Sequence, residues 1–108
     1  MDTTSRVREL NDEARQYPTD GEILVSCGIS ALPEDEVAAI LEGVRTFEDF
    51  TPQNDPYGEH DFGAFAHNGT RIFWKIECYD REMQFGSPDP ADPAVTVRIV
   101  NVMLAEEY

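Results

Sequence analysis

The residues best equipped for chemistry gather in one loop. Glu59, His60 and Asp61 are consecutive, with Asp55 and Tyr57 just upstream. Carboxylates beside an imidazole can hold a divalent cation or shuttle a proton. Their spacing fits no established ligand signature, and neighbouring residues of an extended chain point to opposite sides. A second set, Lys75, Glu77 and Tyr79, recurs with a period of two and shares one strand face. It extends the site if the loop folds over that face. Two other roles compete. In a structural role, Asp55 and Asp61 satisfy loop amides while His60 packs or hydrogen-bonds. In a binding role, Asp55, Tyr57, Glu59, His60, Asp61, Lys75, Glu77 and Tyr79 contact a partner and none is catalytic. The chain has no Gly-rich phosphate loop, G-x-S-x-G or H-E-x-x-H, and Ser26, Ser30 and Ser87 have no histidine near them in sequence. No cofactor and no metal site are therefore expected. Cys27 and Cys78 lie far apart in apolar runs and read as buried free thiols.

Charge is the strongest compositional signal. Twenty-two acids face eight bases, for a net charge of −14. Residues 1–50 hold 12 acids and 4 bases and residues 51–108 hold 10 and 4, so the acidity is not a detachable tail. Such a surface repels phosphate and attracts basic surfaces, which argues against direct nucleic-acid binding and for a basic protein partner. Solubility, or adaptation to a salty cytoplasm, is the plainer explanation of the same charge. Glu9, Asp12, Glu13, Glu34, Asp35 and Glu36 are the expected acidic surface. No apolar run approaches the ~20 residues of a membrane span. The opening MDTTSRVREL lacks the apolar stretch of a signal peptide, so a cytoplasmic location is expected.

The elements that must position these residues follow from periodicity. Over 3–17, Val7, Leu10, Ala14 and Tyr17 form one stripe of a helix that Thr3 or Thr4 caps and Pro18, Asp20 and Gly21 end. EILVSCGI, 22–29, reads as a strand, with Gly28 at a bulge or its end. Pro33 begins a helix over 33–47, whose core face is Val37, Ile40, Leu41, Val44 and Phe47. Residues 48–60 are turn-rich. Asn68-Gly69 marks a hairpin of 61–67 with 70–80, because a type I′ turn needs positive φ at both positions. That turn sets Phe65 opposite Ile72 and Gly63 opposite Trp74. Phe65, Ile72, Trp74, Ile76 and Cys78 then face the core, while Phe62, Arg71, Phe73, Lys75, Glu77 and Tyr79 face away. His67 beside the turn reads as solvated. GSPDPADP is a rigid connection. Residues 93–106 carry both a strand alternation and a helical repeat; their length and the Asp92-Pro93 start favour a helix. The sum is one α+β domain over residues 1–108, in the order α-β-α-β-β-α, with a short antiparallel sheet packed against helices.

NDPYGEHDFGAF, FWKIECYD, GSPDPADPAVT and the ending VMLAEEY together resemble a small bacterial family of unknown function, found on proteobacterial chromosomes and mobile elements. The resemblance runs from Arg8 to Tyr108, and its motifs are specific in combination. It departs at Glu77-Cys78, where the family more often has Asp and Tyr, which argues against a shared functional thiol. It implies no activity and no catalytic residue. The expected function is a non-enzymatic acidic protein that occupies a basic nucleic-acid-binding surface of a partner. An anti-CRISPR or anti-restriction DNA mimic from a phage or mobile element fits that description. The alternatives are a small metal-assisted enzyme built on Glu59, His60 and Asp61, or a housekeeping accessory module.

Overall fold

The computed structural model describes residues 2–18 and 22–108. Its fold is α+β: helices α1 (Thr3–Gln16), α2 (Cys27–Ser30) and α3 (Glu34–Arg45) lie with strands β1 (Ile23–Val25), β2 (Phe62–His67), β3 (Thr70–Tyr79) and β4 (Val97–Leu104). The sheet order is β1-β4-β3-β2. It is mixed and not purely antiparallel, because β1 runs parallel to β4. The core is Ile29, Ile40, Val44, Phe47, Ile72, Trp74, Ile76, Val100 and Val102, between the helices and one face of the sheet.

The hairpin forms as its turn dictates. Asn68 and Gly69 both have positive φ, at 49° and 80°. Phe65 pairs with Ile72 and Gly63 with Trp74. Ile72, Trp74 and Ile76 are buried, and Phe65 and Cys78 are half-buried against the same core. His67 is not solvated; its ring is largely covered and lies 3.5 Å from Glu36 at the start of α3.

The main correction is at the C-terminal segment. Residues 93–106 are not a helix. Asp92 does cap a turn, accepting the Ala94 N–H at 2.9 Å, but that turn ends at Val95. The chain then becomes β4, between β1 and β3. Ile99 and Val100, on opposite sides of the strand, are both buried. A strand covered on both faces carries apolar residues at consecutive positions, which imitates a helical repeat. Its β-branched content is what the central position uses.

Smaller corrections concern the ends of the elements, two of which are set by capping side chains. Asp2, not Thr3 or Thr4, caps α1, accepting the Ser5 N–H at 2.7 Å. The buried side of α1 is Val7, Leu10, Asn11 and Arg15, while Tyr17 lies past the helix and is exposed. Of the residues expected to end α1, Asp20 and Gly21 fall outside the described residues. The strand expected over 22–29 stops at Val25, because the Ser26 hydroxyl accepts the Ile29 N–H and starts α2. Gly28 lies inside that helix. A Cβ there would stand 2.6 Å from the Leu104 side chain and 2.9 Å from the Glu107 carboxylate. Pro33 precedes the first turn of α3 rather than opening it, and Phe47 lies just beyond its end.

Gly63 lies under Trp74, so close that any Cβ would collide with the indole. Trp74 is fully buried and ringed by Phe47 and Phe50, so it cannot step aside. Gly63→Ala should therefore lower stability by about 1–3 kcal/mol, the usual cost of overpacking. Urea denaturation measures this, and an unchanged midpoint would contradict the packing described.

Candidate functional site

The loop 48–61 is held at both ends of its turns. Thr51 and Asn54 exchange bonds: Asn54 Oδ1 accepts the Thr51 N–H at 2.9 Å and Thr51 Oγ1 accepts the Asn54 N–H at 3.2 Å. Gly58 takes φ +67° and donates its N–H to the Asp55 carbonyl. His60 takes φ +53°, a conformation uncommon outside glycine, and its N–H donates to Asp55 Oδ1 at 3.1 Å. Asp55 thus satisfies a loop amide, and its carboxylate is only 6% exposed.

Helix α1 grips this loop with residues at i, i+3, i+4 and i+7, which share one helical face. Arg8 donates to the Gly58 carbonyl at 3.1 Å and Asn11 to the Glu59 carbonyl at 2.9 Å. Asp12 meets His60 Nδ1 at 2.8 Å. Arg15 reaches deepest. Its Nη1 donates to the carbonyls of Val44 and Phe47, both at 2.9 Å, and more weakly to that of Arg45 at 3.2 Å. Its Nη2 donates to Asp12 at 3.1 Å. The guanidinium lies over the rings of Trp74 and Phe50, 5.1 and 5.5 Å from their centroids.

His60 is therefore a cross-link. Its ring stacks on Phe50, with centroids 3.7 Å apart and planes 4° from parallel. Nδ1 is taken by Asp12, and Nε2 lies 3.5 Å from Asp55 Oδ2. An imidazole stacked on Phe50 and bracketed by two carboxylates ties loop to helix, and its side chain remains 22% exposed. Among the described residues no three His, Cys, Asp or Glu side chains come together as metal ligands, so Glu59, His60 and Asp61 do not converge. Burial, then the charges of Asp61 and Asp55, raise the Glu59 carboxyl above its ordinary pKa.

Lys75, Glu77 and Tyr79 stand on the other face of the sheet and do not extend the loop's site. The Tyr79 hydroxyl donates to Glu77 Oε2 at 3.2 Å, Asn101 donates to Glu77 Oε1 at 3.2 Å, and the Lys75 ammonium lies over the Tyr108 ring. Tyr57 is 80% exposed on the loop's outer surface. Of the acidic set, Glu9, Glu13, Glu34 and Asp35 are exposed, while Asp12 turns into the loop and Glu36 accepts from Asn68. The two cysteines are not both buried: Cys27 is exposed, and Cys78 is half-buried with its thiol pKa raised chiefly by burial.

Asn11, Arg15 and Arg98 were missed from the sequence. Asn11 accepts from Arg98 Nε at 2.8 Å while donating to the loop, and so ties β4 to Glu59. Arg98 also donates to the Pro90 carbonyl. The one available signal was the narrowness of the apolar stripe on α1, which leaves room for polar neighbours on its buried side.

A family model described as "Protein of unknown function (DUF3768)" matches residues 25–107. The chain belongs to that family. No curated protein and no solved structure matches it. The span shared with the family begins at Val25, within β1, and contains the hairpin, the acidic loop and β4. Helix α1 lies before that span, so Asp12 at His60 Nδ1 and Arg15 at the end of α3 come from a segment the family match does not include.

Two outcomes follow. Arg15→Met should cost at least ~1–3 kcal/mol, the penalty for one orphaned buried acceptor, because the Phe47 carbonyl loses its donor; urea denaturation reads it. Glu59→Gln should act in the opposite direction. A carboxyl whose folded pKa is raised binds its proton more tightly folded than unfolded, so native stability falls as pH rises from about 4.5 through the raised value. The variant should be more stable than the parent at pH 7 and lose that advantage below the carboxylate range. Unfolding midpoints across pH check this, and a destabilised variant at pH 7 would contradict it.

Proposed function

We propose that the protein is an acidic interaction module whose helical side occupies a basic, nucleic-acid-binding surface of a partner protein, as an anti-CRISPR or anti-restriction DNA mimic does. The observation that carries this reading is the direction in which the charges point. Arg15 and Arg98 are buried, at 2% and 7% exposure, and their guanidinia satisfy internal carbonyls and Asn11. None of the described acidic residues is buried in that way as a whole, although Asp55 has an enclosed carboxylate. The outer surface is thus more negative than the net charge conveys.

Many of the exposed anions belong to the helices and the loop. Helices α1 and α3 and the loop 48–61 carry Glu9, Glu13, Glu34, Asp35, Glu42, Glu48 and Asp49 exposed. Arg6 and Arg45, on the same side, are tied to Glu9 and Glu42 at 2.6 and 2.5 Å. A dense array of carboxylates on a rigid layer speeds encounter with a basic groove and competes with the phosphates it normally holds. Tyr57, exposed at the edge of this layer, offers an aromatic contact of the kind enriched at interfaces. No described helix is long and apolar enough to cross a membrane. A cytoplasmic partner and an origin in a phage or mobile element belong to the same proposal.

A tagged pull-down from the native host identifies the partner. Its affinity should weaken steeply between ~0.1 M and ~1 M salt, as the Debye length shrinks from ~10 Å to ~3 Å. The double variant Glu34→Lys, Asp35→Lys, at exposed positions in the first turn of α3, should slow association severalfold without unfolding the chain. An affinity indifferent to salt and to this variant would remove the mimic reading.

A further inference from the structure

Arg98 is a buried cation without a bonded anion. It is 7% exposed, and its hydrogen bonds go to neutral acceptors. Nε donates to Asn11 Oδ1 at 2.8 Å and Nη2 donates to the Pro90 carbonyl. Among the described residues Nη1 has no hydrogen-bond acceptor, and no carboxylate forms an ion pair with the guanidinium. Arg15 differs, because its charge meets Asp12. Buried charges are ordinarily paired, since an unpaired one loses its hydration without compensation.

Arg98 lines a cavity of about 280 Å³ between α1 and the start of β4. That volume is close to the ~300 Å³ at which small-molecule sites begin. Arg81 lines it as well. Its Nε and Nη2 donate to the carbonyls of Ala94 and Pro93 at 3.0 and 2.6 Å, which orients the guanidinium and leaves Nη1 over. Glu13 and Glu22 complete the charged lining, while Leu10 and Val97 supply apolar wall. Among the described residues neither glutamate carboxylate joins an ion pair. Burial lowers the Arg98 pKa, and Glu13 is among the groups whose charge raises it, so the two act on each other without touching. Two guanidinia and two carboxylates thus face one space in which none bonds another.

This pattern selects among ligands. A free anion such as phosphate meets Glu13, Glu22 and a chain of net charge −14. A simple cation meets two guanidinia. A molecule that carries both charges close together gains from all four groups and is not repelled by the net charge. A guanidinium suits the carboxylate half, because its planar fork matches two carboxylate oxygens.

We propose that this cavity binds a small zwitterion of the α-amino acid class, its carboxylate on Arg98 and Arg81 and its ammonium on Glu13 and Glu22. The bound molecule ties α1 to β4, across the gap that Asn11 already bridges. The site does not depend on the acidic partner surface having the role given to it above.

Thermal unfolding of the full chain with each standard amino acid, at about 10 mM or at saturation, tests the proposal, because a ligand that binds only the folded chain raises its midpoint. The expected result is a raised midpoint with one or more of them. Isothermal titration then compares that amino acid with its N-acetyl and carboxamide forms, each of which lacks one charge. Both blocked forms should bind about tenfold more weakly or worse, the loss of one charged contact. Glu13→Gln with Glu22→Gln should weaken the free amino acid similarly and abolish its advantage over the N-acetyl form. Neither glutamate side chain holds another part of the described chain, and circular dichroism verifies the fold. Three results would each overturn the proposal: no amino acid shifts the midpoint, both blocked forms bind as well as the free one, or the double variant binds unchanged.

Discussion

Arg15 carries its guanidinium into the space between α1, the end of α3 and the rings of Phe50 and Trp74. Helix α3 ends without the glycine that commonly closes a helix; the Thr46 N–H and hydroxyl serve the Glu42 carbonyl, and the Val44 carbonyl takes backbone N–H groups. Arg15 adds donors to the carbonyls of Val44, Arg45 and Phe47, and its charge lies at the negative end of the helix dipole. Burying a guanidinium costs several kcal/mol, which carbonyls, Asp12 and aromatic faces offset together. Because one cation touches both helices and the central tryptophan, the loop that follows α3 begins from a fixed point. Phe50 then offers its face to His60, and Asp12, already oriented by Arg15, takes the imidazole Nδ1.

This chain of contacts explains why a loop rich in catalytic residue types behaves as an anchor. Several polar groups around His60 hold other parts of the molecule. Asp55 serves a backbone amide and the imidazole, Asn11 serves Glu59 and Arg98, and Arg8 serves Gly58. The exposed carboxylates of α1 and α3 lie outside these internal contacts.

The sequence was most legible where one local rule acted alone. Asn68-Gly69 set the turn, and the turn set the register that puts Gly63 under Trp74. The apolar repeat of α3 located Ile40 and Val44 in the core. Legibility failed where two rules overlapped. Residues 97–104 satisfied helical and strand periodicity at once, and only the pairing of β4 with both β1 and β3 separates them. It failed again on α1, where the buried face holds Asn11 and Arg15, residues whose partners lie roughly 30 to 90 positions away.

By itself the sequence determined the α+β class, the hairpin and its register, the α3 core face and the surplus of carboxylates, because each depends on local conformation or simple composition. Tertiary structure alone decided that β4 is the central strand, that His60 is clasped between Asp12 and Asp55, and that Lys75, Glu77 and Tyr79 lie across the sheet from the loop. It also decided that two arginines turn inward while none of the described acidic residues is buried as a whole. These outcomes depend on which distant groups can satisfy a buried charge, an open helix end or an unpaired strand edge. No spacing within one segment encodes that.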